Sequence, residues 1–193
     1  MKPWHTLAGA WLCAILVTGC AAHRPLIVEK PEPKNYAWWL RSEIRPVGSA
    51  VRDIPVRDID ASWCQATEYS PDLFPSHVRY GTAFPLDQTL KRADGSFSVA
   101  EKFGRREMVD MLVGAYQKCS GEQGTFLLAL ENSGSKPQPA AVAEFPGSPR
   151  FAFLRRLNRQ RIQLWWCFAC NQFVTFAWDE TRHSLKTVAN WRG

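Results

Sequence analysis

The sequence predicts a mainly β protein, with one antiparallel domain and short helical segments. Apolar, β-prone runs alternate with short turn-like connections through the second half, and prolines interrupt the first half. Hydrophobic residues make up 46% of the chain and charged residues 22%, which is the composition of an ordinary globular protein. We therefore expect a single domain containing an antiparallel β-meander, either blade-like or a small sandwich.

The most regular strand pattern begins at residue 108. Apolar runs at 108–118 and 125–131 flank a connection, 119–124, whose glycines suit a hairpin. Every later connection is also short, so consecutive strands are expected to pair as antiparallel neighbours. The remaining predicted strands are 140–145, 151–157, 161–168, 173–179 and 184–188.

Prolines restrict the helices of the first half. A proline inside a helix removes a backbone hydrogen bond and clashes with the preceding turn, so it ends or kinks the helix. The stretch 53–90 is therefore expected to hold short strands and turns and no long helix. Its prolines are at positions 55, 71, 75 and 85.

The N-terminal segment has the pattern of an export signal. Lys2 supplies a positive charge, and the apolar stretch 7–17 is too short to cross a bilayer as a mature helix. The stretch ends in Val17-Thr18-Gly19-Cys20, which resembles the lipobox of bacterial lipoprotein precursors. The resemblance implies that residues 1–19 are a signal peptide, which is removed, and that Cys20 becomes the lipid-bearing first residue.

The lipobox resemblance also implies how and where the chain is anchored. In that family a diacylglyceryl group alkylates the cysteine thiol and the new amino terminus is acylated. Each buried methylene contributes about 0.8 kcal/mol, so several acyl chains hold a protein at a membrane stably. Ala21 and Ala22 follow Cys20 in place of aspartate, as in lipoproteins of the outer membrane. We expect an outer-membrane lipoprotein whose domain faces the periplasm; a buried N-terminal helix with an incidental cysteine is the alternative.

Composition divides the mature chain into two parts. Residues 20–35 contain three prolines and several charges, which predicts an extended tether between membrane and domain. The composition changes at Tyr36, and residues 36–193 are expected to form the β-rich domain. The paired Trp38 and Trp39 are expected to dock on its core, with an aromatic contact at the membrane surface as the alternative.

Residues 109–128 resemble one repeat of a known β-propeller family. Val109-Asp-Met-Leu-Val-Gly-Ala-Tyr116, followed by Gly124-Thr-Phe-Leu-Leu128, is similar to the strand-turn-strand part of an FG-GAP repeat, the blade unit of integrin-type propellers. In that family an aspartate-rich loop before the first strand binds calcium. Here the matching residues, 102–107, place two arginines where carboxylates are needed, so calcium binding is not expected. The resemblance supports a blade-like β-meander.

Four cysteines remain in the mature domain after the signal peptide is removed and the lipobox cysteine is acylated. An even number of thiols in an oxidising compartment predicts two disulfides. Two cysteines three residues apart in a straight strand lie about 10 Å apart on opposite faces, too far for a bridge, whereas a turn brings them together. We therefore favour a hairpin tip closed by Cys167 and Cys170. The second pair is then Cys64 with Cys119.

Two other roles are open to these cysteines. The Cys167-Phe-Ala-Cys170 motif has the spacing of a redox-active CxxC pair, which would make the chain an envelope thiol-disulfide oxidoreductase. Reactive pairs of the thioredoxin type lie at a helix N-terminus, where the helix dipole lowers the thiol pKa, but this motif precedes the strand-like run 173–179. A zinc site formed by all four cysteines is the other alternative.

No catalytic constellation stands out in the sequence. It contains no GxSxG elbow, phosphate-binding P-loop or HExxH metal motif. The formal net charge of +6 is scattered and not gathered in a basic run, so nucleic acid is not expected as a partner. We expect a non-enzymatic module without a cofactor or metal. It is expected to bind another envelope or periplasmic protein, as an assembly accessory or as an immunity-type inhibitor of a periplasmic toxin.

Overall fold

The computed structural model describes residues 27–28, 37–102, 108–132 and 136–191. Within these ranges the protein is mainly β, with antiparallel sheets and only short helices, which confirms the predicted fold class. No helix in these ranges is both long and apolar enough to cross a membrane. The predicted signal peptide, 1–19, and Cys20 lie outside the described residues.

Short helical elements lie between the strands of the first half. They are α1 (Val56–Ile59), α2 (Leu86–Arg92), the 3₁₀ turns Trp38–Leu40 and Pro71–Leu73, and the π-helical turn His77–Gly81. The strands, in chain order, are β1 (Ile27–Val28), β2 (Glu43–Ile44), β3 (Ala50–Val51), β4 (Ile54–Pro55), β5 (Trp63–Glu68), β6 (Gly95–Ser96), β7 (Ser98–Lys102), β8 (Met108–Lys118), β9 (Gln123–Glu131), β10 (Gln138–Pro146), β11 (Phe153–Asn158), β12 (Arg161–Trp165), β13 (Phe173–Asp179) and β14 (Ser184–Trp191).

The prolines of the first half limit its helices as predicted. Pro55 and Pro85 immediately precede α1 and α2, which are four and seven residues long. Both prolines occupy the N-cap position, where the backbone is not yet helical (ψ of 136° at Pro55 and 132° at Pro85) and where no N–H is needed for a hydrogen bond within the helix. The prediction that 53–90 holds no long helix is confirmed.

Strand bounds agree most closely with the sequence pattern at β8 and β13. These two strands occupy the predicted ranges 108–118 and 173–179. β12 ends at Trp165, short of the predicted end at residue 168. The chain turns there because the next residues form the loop that carries Cys167 and Cys170.

The first sheet is built on the hairpin of β8 and β9. β10 pairs with β9 on one side. On the other side, β7 pairs with β8 along residues 108–112 and β5 pairs with it along 114–118. All of these pairings are antiparallel. The prediction that consecutive strands pair as antiparallel neighbours is confirmed for β8, β9 and β10.

The second sheet is the predicted meander. Strands β11 to β14 pair in sequence order, each antiparallel to the next, and β6 pairs with β11 at one edge. The register places Ile162 opposite Phe176 and Leu164 opposite Val174. These four side chains belong to the main core cluster together with side chains of β8 and β9. The two sheets therefore share one core, as expected of a small sandwich.

The first sheet is covered on both faces. Along β8, Met111 and Val113 belong to the main core, whereas Leu112 and Tyr116 belong to a second cluster that also contains Trp63 of β5. Apolar side chains of β3, β4 and α1 complete the second cluster. Residues 111–116 of β8 are all buried, so this part of the strand is a continuous apolar run instead of a clear alternation.

The two tryptophans near the start of the domain dock on its core, as the sequence predicts. Trp38 and Trp39 are 4% and 5% exposed, and Trp38 packs edge-on against Phe151 with ring centroids 5.0 Å apart. Within the predicted tether, 20–35, the two residues of β1 pair with β2. The rest of the tether lies outside the described residues.

Candidate functional site beside the Cys167–Cys170 hairpin

Both favoured disulfides are present in the structure. The Cα atoms of Cys64 and Cys119 are 4.9 Å apart, and those of Cys167 and Cys170 are 5.6 Å apart. Both distances lie in the usual range for a disulfide. The four sulfur atoms form two separate bridges, so they do not meet as one zinc site. Elsewhere in the described ranges, no group of three or more histidine, cysteine or acidic residues is placed to hold a metal ion.

The Cys167–Cys170 disulfide closes the loop between β12 and β13. The amide of Trp166 donates to the carbonyl of Gln172 at 3.3 Å, which joins the two ends of this loop. Cys167 is 2% exposed and belongs to the main core. The motif leads into a strand, so no helix dipole acts on these sulfurs to favour a thiolate. The Cys167–Cys170 disulfide therefore has the features of a structural cross-link that closes the tip of the hairpin.

The Cys64–Cys119 disulfide joins β5 to the turn that follows β8. It connects residues 55 positions apart in the sequence. The Arg57 guanidinium on α1 lies against both sulfurs, with Nη2 3.8 Å from Cys64 Sγ and 3.7 Å from Cys119 Sγ. This bridge and its contact with Arg57 therefore connect α1, β5 and the turn after β8, on the side of the first sheet that faces away from the second sheet.

A groove of about 580 Å³ lies beside the Cys167–Cys170 hairpin. Its first wall is the segment 39–43, its second wall is the loop 148–150, and the hairpin contributes Trp166, Cys167 and Gln172. The groove continues into two recesses. One, of about 220 Å³, extends past Trp166 to residues 145–147, and the other, of about 450 Å³, extends along the first wall to residue 45.

The first wall carries charged side chains at every second position. Ser42 and Ile44 are 6% and 1% exposed, and they anchor this segment to the domain. Arg41, Glu43 and Arg45 are exposed and line the groove or its recess. Alternating burial is the pattern of an extended chain with one face on a core. It follows that a positive, a negative and a positive side chain succeed one another along this wall.

The second wall is held by hydrogen bonds to the first sheet. The hydroxyl of Tyr69 donates to the carbonyl of Arg150 at 2.7 Å, and the amide of Gly147 donates to the carbonyl of Gln123 at 2.9 Å. Burial raises the pKa of Tyr69, so its hydroxyl stays a neutral donor. Gly147 has φ of +130°, a conformation that other residues rarely adopt. These contacts fix the loop that presents the Arg150 side chain.

Aromatic and amide side chains complete the lining. Trp166 packs edge-on against Phe145 with ring centroids 5.2 Å apart, and Trp39 packs in the same way against Phe168 at 5.1 Å. Gln172 also lines the groove and contributes an amide group. The groove thus combines rigid aromatic surface, a hydrogen-bonding amide and guanidinium groups, and aromatic residues and arginine are enriched where proteins bind other proteins.

The sequence alone does not reveal this groove, although Cys167 on its lining is one of the predicted site residues. Its walls come from three stretches that are far apart in the chain, and only the fold brings them together. The one local signal is the alternation of charged and uncharged residues at 41–45. Cys20, the predicted lipidation site, lies outside the described residues.

Comparison with known proteins gives no match. No protein-family model matches this chain, and no curated protein or solved structure matches it either. The hairpin of β8 and β9 contains residues 109–128, but nothing in these comparisons tests the FG-GAP resemblance or the lipobox resemblance. Both stay predictions.

Proposed function

We propose that this chain is a lipid-anchored protein of the bacterial cell envelope, which binds another envelope or periplasmic protein and is not an enzyme. The observation that carries the proposal is the groove. Its lining combines aromatic, guanidinium and amide groups, and part of it is the hairpin closed by the Cys167–Cys170 disulfide. An assembly accessory and an immunity-type inhibitor of a periplasmic toxin are the two roles that fit such a module.

The lining of the groove supports binding more than chemistry. Among the described residues that line it there is a serine, Ser148, but no histidine, and the one cysteine among them, Cys167, is oxidised. A serine nucleophile needs a general base within hydrogen-bond reach, and Ser148 has no hydrogen bond to one among the described residues. By contrast, Trp166 and Arg150 are side chains of the kind that dominate the energetics of protein interfaces.

The compartment is supported by two independent features. The lipobox at 17–20 implies a lipid anchor on Cys20, with residues 20–35 leading to the domain. The two disulfides suit an oxidising compartment such as the periplasm, because cytosolic thiols are kept reduced. An outer-membrane anchor with the domain facing the periplasm accommodates both features.

The alternative function, an envelope thiol-disulfide oxidoreductase using Cys167 and Cys170, has less support. Thiol-disulfide exchange requires a thiolate to approach one of the two sulfurs. Cys170 is partly exposed, but Cys167 is almost fully buried, so its thiolate would have to leave into an apolar environment. The motif also precedes a strand, whereas reactive pairs precede a helix.

Site-specific photo-crosslinking in cells tests the proposed function. A photoreactive residue is placed in the full-length chain at Gln172, which lines the groove, or at Gln88, an exposed residue of α2 that does not. We expect a discrete adduct with an envelope protein from position 172 and not from position 88. The Trp166→Ala variant should reduce the adduct. Equal labelling from both positions, or no adduct at position 172, would contradict the proposal.

A further inference from the structure

We propose that the exposed side chains of Leu40, Tyr80 and Phe84 form an apolar patch that lies against the lipid surface in which Cys20 is anchored. This inference rests on the lipid anchor of the proposed function and adds how the anchored domain meets the bilayer. It is carried by the exposure of the three side chains and by the short length of chain between them and the anchor.

The patch gathers large apolar side chains that are exposed. Leu40 is 62% exposed, Tyr80 61% and Phe84 41%, and they are three of the six large hydrophobic residues exposed within the described ranges. The other three belong to β8, β11 and β14. Single exposed apolar side chains are common on protein surfaces, whereas a cluster of them marks a surface that another molecule covers.

The patch is built around the buried Trp38 and Trp39. The indole N–H of Trp38 donates to the carbonyl of Phe84 at 2.8 Å, and the Trp39 ring packs edge-on against the Phe84 ring with centroids 5.5 Å apart. Leu40 directly follows Trp39 in the chain, and Tyr80 is four residues before Phe84, so its Cα lies within about 14 Å of that of Phe84. Because both tryptophans are buried in the core, the patch has a rigid base.

The arginine that touches the patch is neutralised within the domain. The Arg79 guanidinium lies over the ring of Tyr80, 4.9 Å from its centroid. It also pairs with Asp72 at 2.8 Å and lies 3.9 Å from Asp87. The patch therefore favours an apolar occupant over a polyanion. Tyrosine, with an apolar ring and a polar tip, is a residue type enriched at the boundary between water and membrane.

A short length of chain joins the patch to the anchor. β1 pairs with β2, with Ile27 opposite Ile44, so the chain meets the domain seven residues after Cys20. Seven residues span at most about 25 Å, whereas a domain of this size is roughly 40 Å across. Leu40 is four residues from Ile44. Acyl chains on Cys20 therefore hold this end of the domain, and the patch with it, beside the bilayer.

A bilayer suits the patch better than a second protein does. Three side chains cover far less than the area of about 800 Å² that a stable interface buries on each protein. Contact with the bilayer needs less area, because the acyl chains already confine the domain to the membrane and the contact becomes intramolecular.

Quenching by labelled lipid in the full-length, lipidated chain tests this inference. The chain is reconstituted in phosphatidylcholine vesicles that contain nitroxide-labelled phosphatidylcholine, and a fluorescent amino acid replaces Tyr80 or Leu157. Leu157 is apolar and 50% exposed, but it lies at the far end of β11 from Phe151, against which Trp38 packs. Docked apolar side chains enter the boundary between headgroups and acyl chains, so we expect quenching to be at least about threefold stronger at position 80.

Substitutions inside and outside the patch provide the matched variants. Phe84→Ser should reduce the quenching at position 80 about threefold, whereas Leu157→Ser should leave it unchanged. Circular dichroism checks that each variant is folded. If Phe84→Ser is not, Leu40→Ser serves the same purpose, because that side chain is more exposed. Replacing part of the phosphatidylcholine by anionic phosphatidylglycerol should change the quenching less than Phe84→Ser does.

Photo-crosslinking in cells identifies what covers the patch. A photoreactive residue at position 80 of the full-length chain, in cells labelled with radioactive phosphate, should give a phospholipid adduct that carries the label. The diacylglyceryl anchor contains no phosphorus, so it does not contribute to this signal. A discrete adduct with another protein, or with a second copy of this chain, would show that protein covers the patch.

The outcomes separate this inference from the function on which it rests. Equal quenching at positions 80 and 157, or a protein adduct from position 80, overturns the contact with the bilayer. If Cys20 is acylated and the groove-specific adduct from position 172 forms in that case, the proposed function stands and only the orientation of the domain is wrong. If Cys20 carries no lipid, the anchor and this inference fall together.

Discussion

The indole N–H of Trp63 donates to the carboxylate of Glu144 at 2.6 Å, so a side chain of β5 reaches β10 at the opposite edge of the first sheet. The indole crosses the sheet by stacking on Tyr116, with ring centroids 5.0 Å apart and planes 8° from parallel. Lys118 lies against the same carboxylate at 2.8 Å. The buried indole of Trp63 therefore connects the edge strands β5 and β10 across the face of this sheet that points away from the second sheet.

Replacing Trp63 should destabilise the domain through that contact. Trp63 is fully buried and donates to a charged acceptor, so Trp63→Phe loses both a hydrogen bond and packing. We expect the free energy of unfolding, measured in urea, to fall by about 2–4 kcal/mol. In a cycle with Glu144→Gln, the two substitutions should be coupled. Strict additivity would show that the bond across the sheet contributes nothing.

The two disulfides should stabilise the domain unequally. In the chain-entropy model, a bridge over 55 residues contributes about 4 kcal/mol and one over 3 residues about 2 kcal/mol. The Cys64→Ala/Cys119→Ala variant should therefore lose more unfolding free energy than the Cys167→Ala/Cys170→Ala variant. The reverse order in denaturant unfolding would show that the short bridge does more than close a turn.

The Cys167–Cys170 disulfide should resist mild reductant in the folded protein. Cys167 is buried in the core and Cys170 is only partly exposed, so attack at Cys170 would have to expel the Cys167 thiolate into an apolar environment, which burial disfavours. We expect no thiol labelling after incubation of the native, lipidated chain with millimolar glutathione, and full labelling after unfolding. Rapid reduction of the native protein, with one thiol titrating at acidic pH, would favour the oxidoreductase alternative instead.

Acid should weaken the turn that precedes β5. The hydroxyl and the amide of Ser62 both donate to Asp60, at 2.5 and 2.8 Å, and these bonds hold the pKa of Asp60 below its ordinary value. A carboxyl with a lowered folded pKa stabilises the fold above its unfolded pKa, and this contribution is lost as the pH falls through the folded pKa.

Unfolding in urea between pH 7 and pH 2 measures this contribution. Asp60→Asn should be less stable than the wild type near pH 6, and the difference should shrink below about pH 4, where the unfolded carboxyl binds its proton. Ser62→Ala, which removes only the hydroxyl donor, should show a smaller effect of the same sign. A difference that does not change with pH would mean that the charge of Asp60 has no part in stability.

Local sequence patterns predict the second half of the domain well. The apolar runs and short connections correctly predict β8, β9 and the meander, because each of these strands pairs with its neighbour in sequence. The spacing of Cys167 and Cys170 indicates a turn, since a straight strand keeps the two sulfurs apart.

Features that depend on distant parts of the chain could not be predicted in the same way. The pairing of β5 with β8 joins segments far apart in sequence, and the bond from Trp63 to Glu144 exists only once the intervening strands are in place. The groove is the same kind of feature, because Arg45, Arg150 and Trp166 acquire a common surface only through packing. Periodicity reports which face of an element is buried, and it carries no information on which distant element covers that face.

Mass spectrometry of the N-terminal peptide of the protein isolated from cells tests the central claim most directly. An envelope-anchored module requires a chain that begins at Cys20 and carries a diacylglyceryl group with a further acyl chain on its amino group. Substitution of that cysteine by alanine should abolish the modification and release the domain from membrane fractions. An unmodified chain that begins at Met1 would contradict the lipid anchor, the compartment and the function proposed for the groove.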